Sequence, residues 1–518
     1  LTSADKAYDV PTDERISRIR KGNNDKYLTE LMFQYGRYLL ISSSREGNWP
    51  INMQGKWNEH NNPLYGSGYR IEWTLPLAYS LADVTNLQDL RSPFLKLLDS
   101  SKVHGKYAAN KMYKVSGYVA HDYLSIYGNN FPTTHELISI PPMGGAWLFT
   151  SLYDNYRFHA NKDWLKNQLY PLLKDASIFM LNFLVKAPSG PYAGKLVVCP
   201  SLSEENEFEL KDGSKAKLSY GSAMDQQLVY ELFQCTISAI DELSDKKIKF
   251  EPNFRQKLTE ALKNLAMAPI EPETNEIQEW LEDYNVSNTP KNYISQLYGL
   301  YPAAQITKTK TPELYKAAEI TLNNEIKNLK KSSHGNALAA IWYARLHKPN
   351  QALKYLNKQI AESTSPNLLS NNPPFYIDGN MIYTAAVAEM LIQSHDGFIE
   401  FLPAEPVALG EGYAKGLCAR GGFECDIAWK DSKISVQITS NEGNQCTIKI
   451  DSEPKIYSDN PNFKVKNLGN GLYTFNTDKG GIYTLEYSGR LNSEKEDNPE
   501  NSKNWLGIDL GLNLGIKF

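Results

Sequence analysis

Two carboxylates stand far apart in the chain, each in a loop that reads as opening onto a helix. Glu205 lies in Pro200-Ser201-Leu202-Ser203-Glu204-Glu205-Asn206. Asp378 lies in Pro373-Pro374-Phe375-Tyr376-Ile377-Asp378-Gly379-Asn380, just before the apolar run Thr384–Leu391. A carboxylic acid and a carboxylate held at helix entrances can hydrolyse a glycosidic bond with inversion. The acid protonates the leaving oxygen, and the base draws a proton from a water on the opposite face of the sugar. That geometry requires the two groups to stand roughly 6.5–9.5 Å apart with room for the water. With 59 Asp and Glu in the chain, the pair carries weight only through its surroundings.

Those surroundings are helical up to about residue 396. Apolar residues recur at helical spacing in Tyr27–Ser42, Gly145–Tyr156, Leu165–Leu184, Met224–Leu243, Phe254–Met267, Thr311–Lys327, Ala337–Leu346 and Thr384–Ser394. Gly/Pro/Asn-rich loops of uneven length join them, which predicts helix pairs around a centre with function in the loops. After Gly397 the texture becomes β-rich. Phe398–Leu402, Phe423–Trp429, Ile434–Thr439, Cys446–Ile450, Lys464–Val465, Leu472–Phe475 and Tyr483–Tyr487 are short runs punctuated by Gly, Asn and Asp. The expected division is a linker remnant over 1–25, a helical domain over 26–396, a small β-sandwich over 397–490 and a disordered polar tail over 491–518.

Composition excludes several classes. A net charge of −4 argues against nucleic acid as the main partner, and no run approaches the ~20 apolar residues of a membrane helix. The 32 Tyr and 9 Trp suit a cleft that stacks on sugar rings, although most belong to core and surface. Cys199, Cys235, Cys418, Cys425 and Cys446 show no metal spacing, and only Cys418 and Cys425 read as neighbours able to pair. No calcium loop, His pair or phosphate loop is present, so neither metal nor cofactor is expected. The chain starts at Leu1 without Met or a signal sequence and reads as a mature form or a fragment.

Six runs stand in order along the chain: Tyr35–Arg45, Asn52–Asn58, Met143–Trp147, Gln278–Tyr284, Leu297–Pro302 and Pro373–Asn380. Together they resemble glycoside hydrolase family 95, the bacterial α-1,2-L-fucosidases and their α-L-galactosidase relatives. The resemblance runs from Pro11 to about Glu424. It implies an (α/α)6 barrel followed by a small all-β domain, inversion at the anomeric carbon, no cofactor, a glycan substrate and a periplasmic or secreted location. It also implies Glu205 as general acid, from a Ser-x-Ser-Pro-Glu-Asn motif in which Glu204 here replaces Pro, and Asp378 as general base. A large β-sandwich usually precedes the Pro11-Thr12-Asp13-Glu14-Arg15 linker, so the resemblance implies such a domain missing here as a further partner.

The departures fall at the cleft loops. The family's water-orienting Asn-x-Asn becomes Glu72-Trp73-Thr74, and its His-His-Asn-x-Asp-x-Trp run becomes His121-Asp122-Tyr123-Leu124-Ser125-Ile126-Tyr127. Its Arg-His-x-Ser-His run becomes Asn292-Tyr293-Ile294-Ser295-Gln296, its Trp-Ser segment becomes His334-Gly335, and Met381-Ile382-Tyr383 follow Asn380. Glu72, Thr74, His121, Tyr123, Tyr293 and Asn380 are therefore the candidate substrate-binding residues. Three readings stay open. Glu72 joins Asp378 in activating the water; the pocket takes a different sugar, with Tyr123, Tyr127, Tyr293 and Tyr383 as new surfaces; or hydrolysis is lost and the cleft only binds glycan. A lyase with a Tyr base is disfavoured by the intact carboxylate pair. Glu279 is read as anchoring a loop by charge-assisted bonds rather than as meeting substrate.

Overall fold

The structure is a computed structural model that describes residues 9–63, 66, 68–132, 137–204, 206–244, 250–286, 289–291, 293–371, 375–405 and 409–489, with backbone alone at 138, 285–286 and 506–509. Helices fill the first three quarters of the chain: α1 Thr12–Arg20, α2 Lys26–Ser43, α3 Thr74–Ala78, α4 Ser80–Val84, α5 Ser92–Tyr113, α6 Gly144–His159, α7 Lys162–Trp164, α8 Tyr170–Phe183, α9 Ala223–Leu243, α10 Pro252–Asn264, α11 Pro312–Glu325, α12 Ser333–Arg345, α13 Pro349–Ser363 and α14 Asp378–Leu391. A π-helical turn, Leu165–Leu169, joins α7 to α8.

The helices divide by burial pattern. In α12 every residue but His334 is buried, and in α14 every residue but Glu389. A helix apolar on all sides has to sit inside other helices. By contrast α10 buries only Leu258 and Ala261, and α13 buries one face through Leu353, Leu356 and Ile360. The inner helix α14 packs against α2, α3, α4 and α12. Its crossing with α2 is close because Gly36 has no side chain: a Cβ there would lie 2.1 Å from Thr384 Oγ1.

From residue 392 onward the chain forms two sheets. One has five strands in the order Ile392–Gln393, Ile399–Phe401, Cys446–Lys449, Leu472–Phe475 and Val465–Gly469. The other has six, in the order Lys455–Ser458, Ile482–Ser488, Lys433–Ser440, Phe423–Lys430, Gly412–Ala419 and Leu506–Asp509. Alternation buries Ile427, Trp429, Val436, Ile438, Tyr483 and Leu485 on one face. Phe475 of the first sheet meets Tyr483 of the second at 5.3 Å between ring centroids, so the buried faces of the two sheets oppose each other.

Two expectations change, and one open reading closes. Residues 12–20, inside the stretch read as a linker remnant, form a helix whose Arg15 is buried and paired with Asp25 at 2.8 Å. Within the tail read as disordered, Leu506–Asp509 adds a strand parallel to Gly412–Lys415. Cys418 lies opposite Glu424, and Cys425 opposite Leu417, and all five cysteines are free. Among the described residues no helix is long and apolar enough to cross a membrane.

Candidate active site

Asp378 is the first residue of α14 and is 3% exposed. The residue after it must be small, because a Cβ on Gly379 would fall 2.4 Å from Ser333 Oγ at the start of α12. This close approach brings the N-terminal ends of α12 and α14 together, and with them His334 and Asp378. Asp378 Oδ1 accepts from the Gly379 N–H at 2.8 Å. Burial raises the Asp378 pKa above the usual carboxylate range, while His334, the backbone N–H and Arg70 pull it down. A base of raised pKa suits proton abstraction near neutral pH.

Arg70 comes from a two-residue antiparallel ladder in which Tyr69 faces Leu124 and Arg70 faces Tyr123. The Ile71 N–H to Asp122 O bond, 2.8 Å, continues the pairing. Trp73 then takes φ +54, a left-handed conformation uncommon for a bulky residue, and turns the chain into α3 at Thr74. Pro76 fits that first turn, where its missing N–H goes unneeded. The Arg70 Nη2 donates to Glu204 Oε2 at 3.2 Å. Burial works against the guanidinium's charge, but Glu204, Tyr293, Glu72 and Tyr123 hold it on, raising the Arg70 pKa overall. The same charge acts on Asp378 and His334.

Glu204 belongs to the turn Ser203–Asn206, closed by the Asn206 N–H donating to Ser203 O at 3.0 Å. Glu205 lies outside the described residues, and its separation from Asp378 with it. Both flanks of the turn are held by Glu279. Its Oε1 accepts from Ser203 Oγ at 2.5 Å and Asn206 Nδ2 at 2.6 Å, and its Oε2 from Lys291 Nζ at 2.7 Å. Lys291 also meets Glu325 at 3.0 Å. Glu279 thus anchors the loop. Upstream, Asp225 Oδ2 accepts from Ser201 Oγ at 2.7 Å and the Leu202 N–H at 3.2 Å. Burial pushes the Asp225 pKa up to about 6.

Glu72 is buried, and its pKa stands well above the ordinary carboxylate range, first from burial and then from the charges of Glu204 and Asp225. The charges acting most on Asp378 are those of His334 and Arg70. The charges that act most on Glu72 are thus those of Glu204 and Asp225, with Arg70 opposing them. Tyr293 stacks on Trp73 at 4.6 Å and 10°, and on His334 at 5.3 Å and 29°. Trp73 continues the wall to Trp147 at 5.0 Å. Thr74, also buried, opens α3 beside them, its N–H donating to Glu72 O.

Glu72, Tyr123, Tyr293 and Asp378 thus all feel the charge of Arg70, and Thr74 follows two residues after Glu72. Four other candidates serve elsewhere. His121 is fully buried, with Nε2 on the Tyr113 hydroxyl at 2.7 Å and Nδ1 on Asn130 O at 2.9 Å. Neither ring nitrogen is left for a sugar hydroxyl. Asn380 Oδ1 accepts from Ser370 N and Oγ at 2.8 and 2.9 Å, and its Nδ2 donates to Leu368 O at 2.8 Å. It pins the preceding loop to α14. Tyr127 is 72% exposed, and Tyr383 is wholly buried in the core. Arg70 and Asp225 were not singled out from the sequence, and Glu204 and His334 were noted only as departures from the family pattern. Asp225 sits three residues after the cap Ser222, the spacing of an ordinary helix start.

A cavity of about 890 Å³ lies between the helices and the C-terminal strands, lined by Lys308, His347, Glu400, Glu405, Lys449 and Tyr487 among others. None of the residues around Arg70 lines it. Among the described residues no three His, Cys, Asp or Glu side chains gather to hold a metal ion.

Comparison with known proteins identifies the class. The glycosyl hydrolase family 95 catalytic domain matches residues 1–391, and the glycoside hydrolase family 95 C-terminal domain matches residues 393–485. The chain belongs to glycoside hydrolase family 95. It is 34% identical over 441 residues to alpha-L-fucosidase 2 of Arabidopsis thaliana, across 82% of this chain and 50% of that protein. It is 29% identical over 448 residues to the probable alpha-fucosidase A of Aspergillus niger, across 82% and 55%. The chain spans about half the length of these curated relatives. Among solved structures, a putative kojibiose phosphorylase from human microbiome superposes with a TM-score of 0.56 at 11% identity, over 90% of this chain and 66% of that one. A glycosidase variant in complex with glucose superposes at 0.50 with 9% identity, over 71% and 99%. These two likenesses concern the fold alone.

Proposed function

We propose that the chain is the hydrolytic portion of an inverting α-L-fucosidase that removes terminal α-linked L-fucose, or a closely related L-sugar, from glycans. In this reading the helices form an (α/α)6 barrel and the two C-terminal sheets a sandwich. The split into inner and outer helices and the likeness to the phosphorylase support that architecture. Glu205 is the general acid and Asp378 the general base. As the glycosidic C–O bond breaks, Glu205 gives its proton to the leaving oxygen; water adds to the anomeric carbon from the other face and loses a proton to Asp378. Trp73 and Tyr293 form an apolar wall beside the sugar, and Glu72, Thr74 and Tyr123 supply polar contacts.

The observation that carries this reading is the single guanidinium of Arg70, bonded to Glu204 on the turn that contains Glu205 and acting on the charge of Asp378. One segment bearing an expected catalytic carboxylate is thereby bonded to the Tyr69–Arg70 strand, and the charge of Arg70 acts on the other. The test is a screen of aryl and natural α-L-fucosides and α-L-galactosides with wild type, Glu205→Gln and Asp378→Asn. Proton NMR would follow the anomer first released. The expected result is β-L-fucose as first product and loss of at least ~10²-fold in rate on natural substrate in each variant. Turnover that survives both substitutions refutes the assignment, and glycan binding without turnover by wild type would make the cleft a binding site.

A further inference from the structure

The cavity of about 890 Å³ between the helices and the C-terminal strands takes no part in the site around Arg70. Arg345, in its wall, ends α12, and His334 stands near the start of that helix. At a rise of about 1.5 Å per residue the two lie roughly 16 Å apart, so the cavity is at the far end of α12 from Asp378. Among the described residues, four buried polar atoms of its lining side chains have no hydrogen-bond partner: Arg345 Nη1, Gln393 Oε1, His395 Nδ1 and Ser452 Oγ. Arg345 is 1% exposed, and its Nε and Nη2 bind the Glu389 carboxylate at 2.7 and 2.9 Å. Gln393 is 3% exposed, and its Nε2 donates to Ala344 O and Glu389 O, each at 2.9 Å. Both side chains are therefore fixed in place, each with one atom left over. Native interiors pair nearly all such atoms, and four on one cavity wall mark a place where the groups of a ligand complete the set.

The chemistry of the wall selects the ligand. Arg345 Nη1 gives a hydrogen bond, Gln393 Oε1 takes one, and His395 Nδ1 and Ser452 Oγ can do either. The charges of the wall are largely matched. Lys449 Nζ lies 3.4 Å from Asp451, His347 Nε2 lies 3.4 Å from Glu400, and Asp396 meets Lys310 at 3.1 Å. Burial pushes the Glu405 pKa up to about 8 against the pull of Trp429, and the Glu400 pKa up to about 7. Near pH 7, then, Glu405 is largely neutral and Glu400 about half so. A charged ligand finds no excess of opposite charge. Half-buried Tyr315 and Tyr487 and buried Phe401 add ring surface. A short chain of sugar rings suits all of this: each hydroxyl both gives and takes a hydrogen bond, and the C–H faces lie on aromatic rings. The volume falls in the ~300–1,000 Å³ range of ligand pockets.

We propose that this cavity is a non-catalytic carbohydrate-binding site, which holds a neutral oligosaccharide between the helices and the C-terminal sheets. Calorimetric titration of the full chain tests it, with neutral tetrasaccharides that lack fucose (cellotetraose, maltotetraose, xylotetraose and mannotetraose) and with tetragalacturonic acid as the charged control. At least one neutral tetrasaccharide should bind one to one with Kd below about 1 mM, and at least about tenfold more tightly than tetragalacturonate. Ser452→Trp, which sets an indole in the cavity, should weaken that binding by about tenfold or more. His395→Phe, which keeps a ring but loses Nδ1, should weaken it about three- to tenfold, and it serves alone should Ser452→Trp fail to fold. No binding of any neutral tetrasaccharide at ~10 mM would leave the cavity a water-filled space and overturn the proposal. Equal affinity for tetragalacturonate would overturn the neutral ligand class. Undiminished binding in either folded variant would place the sugar elsewhere, the cleft beside Asp378 included, and overturn the site.

Discussion

Replacing Glu279 by Gln tests what holds the Ser203–Asn206 turn in place. The carboxylate is buried, with one oxygen on Ser203 and Asn206 and the other on Lys291 at 2.7 Å. Glutamine has the same shape but only one acceptor. If its oxygen stays on Ser203 and Asn206, its amide N–H groups face the Lys291 ammonium; if it flips, they face a hydroxyl and an amide that were donating. Breaking a buried ion pair by altering one partner costs about 3–5 kcal/mol. Lys291 keeps Glu325 at 3.0 Å, which places the expected loss near the lower end, about 3 kcal/mol. Chemical denaturation of wild type and Glu279→Gln gives the difference. Adding Lys291→Met to the variant takes the cation from Glu325 in turn and should cost a further ~1 kcal/mol or more. A Glu279→Gln protein within about 1 kcal/mol of wild type would refute the account of the clamp.

Four further outcomes are expected. Glu204→Pro, which restores the family's residue, should destabilise the chain by at least ~3 kcal/mol in a thermal or denaturant titration. Proline is fixed near φ −65° against the observed +48°, and the buried Arg70–Glu204 ion pair is lost. Asp225 has its folded pKa raised from 3.8 to about 6, so the folded state binds the extra proton between those values and stability falls as pH rises through that window. Asp225→Asn should gain roughly 3 kcal/mol on wild type between about pH 4 and pH 7, read from denaturation at each pH. Asn380→Ala strands the Leu368 carbonyl and the Ser370 N–H and should cost about 2–4 kcal/mol of stability while leaving KM for an aryl fucoside unchanged. Glu72→Gln should keep kcat within about fivefold at neutral pH, whereas Glu72→Ala should lose ~10²-fold or more, both by steady-state kinetics.

The elements that were legible in the sequence are those with a wide apolar stripe. The Tyr27–Ser42 pattern became Lys26–Ser43, and the Met224–Leu243 pattern became Ala223–Leu243. The longest helix, Ser92–Tyr113, was missed because half of its buried face is small: Ser101, Gly105, Ala108 and Ala109 pack without a hydrophobic signal. The strand Gly412–Ala419 was missed because Gly416 and a bulge between Ala414 and Leu417 break its alternation. In the site, the place of Asp378 at a helix entrance was readable, but the role of Asn380 was not. An amide that holds a loop and an amide that holds a sugar look alike in a sequence, and only its three partners distinguish them. The Arg70–Glu204 pair joins positions 134 residues apart, a relation that no local pattern encodes.

The departures around the cleft make physical sense as a set. The resemblance places neutral amides where Glu72 and Thr74 stand, and a proline where Glu204 stands. Three independent charges in a buried cleft would each carry a desolvation cost of several kcal/mol. Here they offset one another. Arg70 balances Glu204, and the remaining carboxyl, Glu72, is pushed well above its usual range by burial and by the charges of Glu204 and Asp225. A carboxyl that keeps its proton offers one O–H donor and one carbonyl acceptor, which is nearly what an amide offers. Exchanging Asn for Glu at position 72 therefore preserves the hydrogen-bonding character of the site wherever the carboxyl is protonated, a form that burial favours first and the charge of Glu204 next. Burial acts first on Glu72 and the charge of Glu204 adds to it, while Arg70 offsets Glu204, so a change at any one of the three alters the electrostatics of the others.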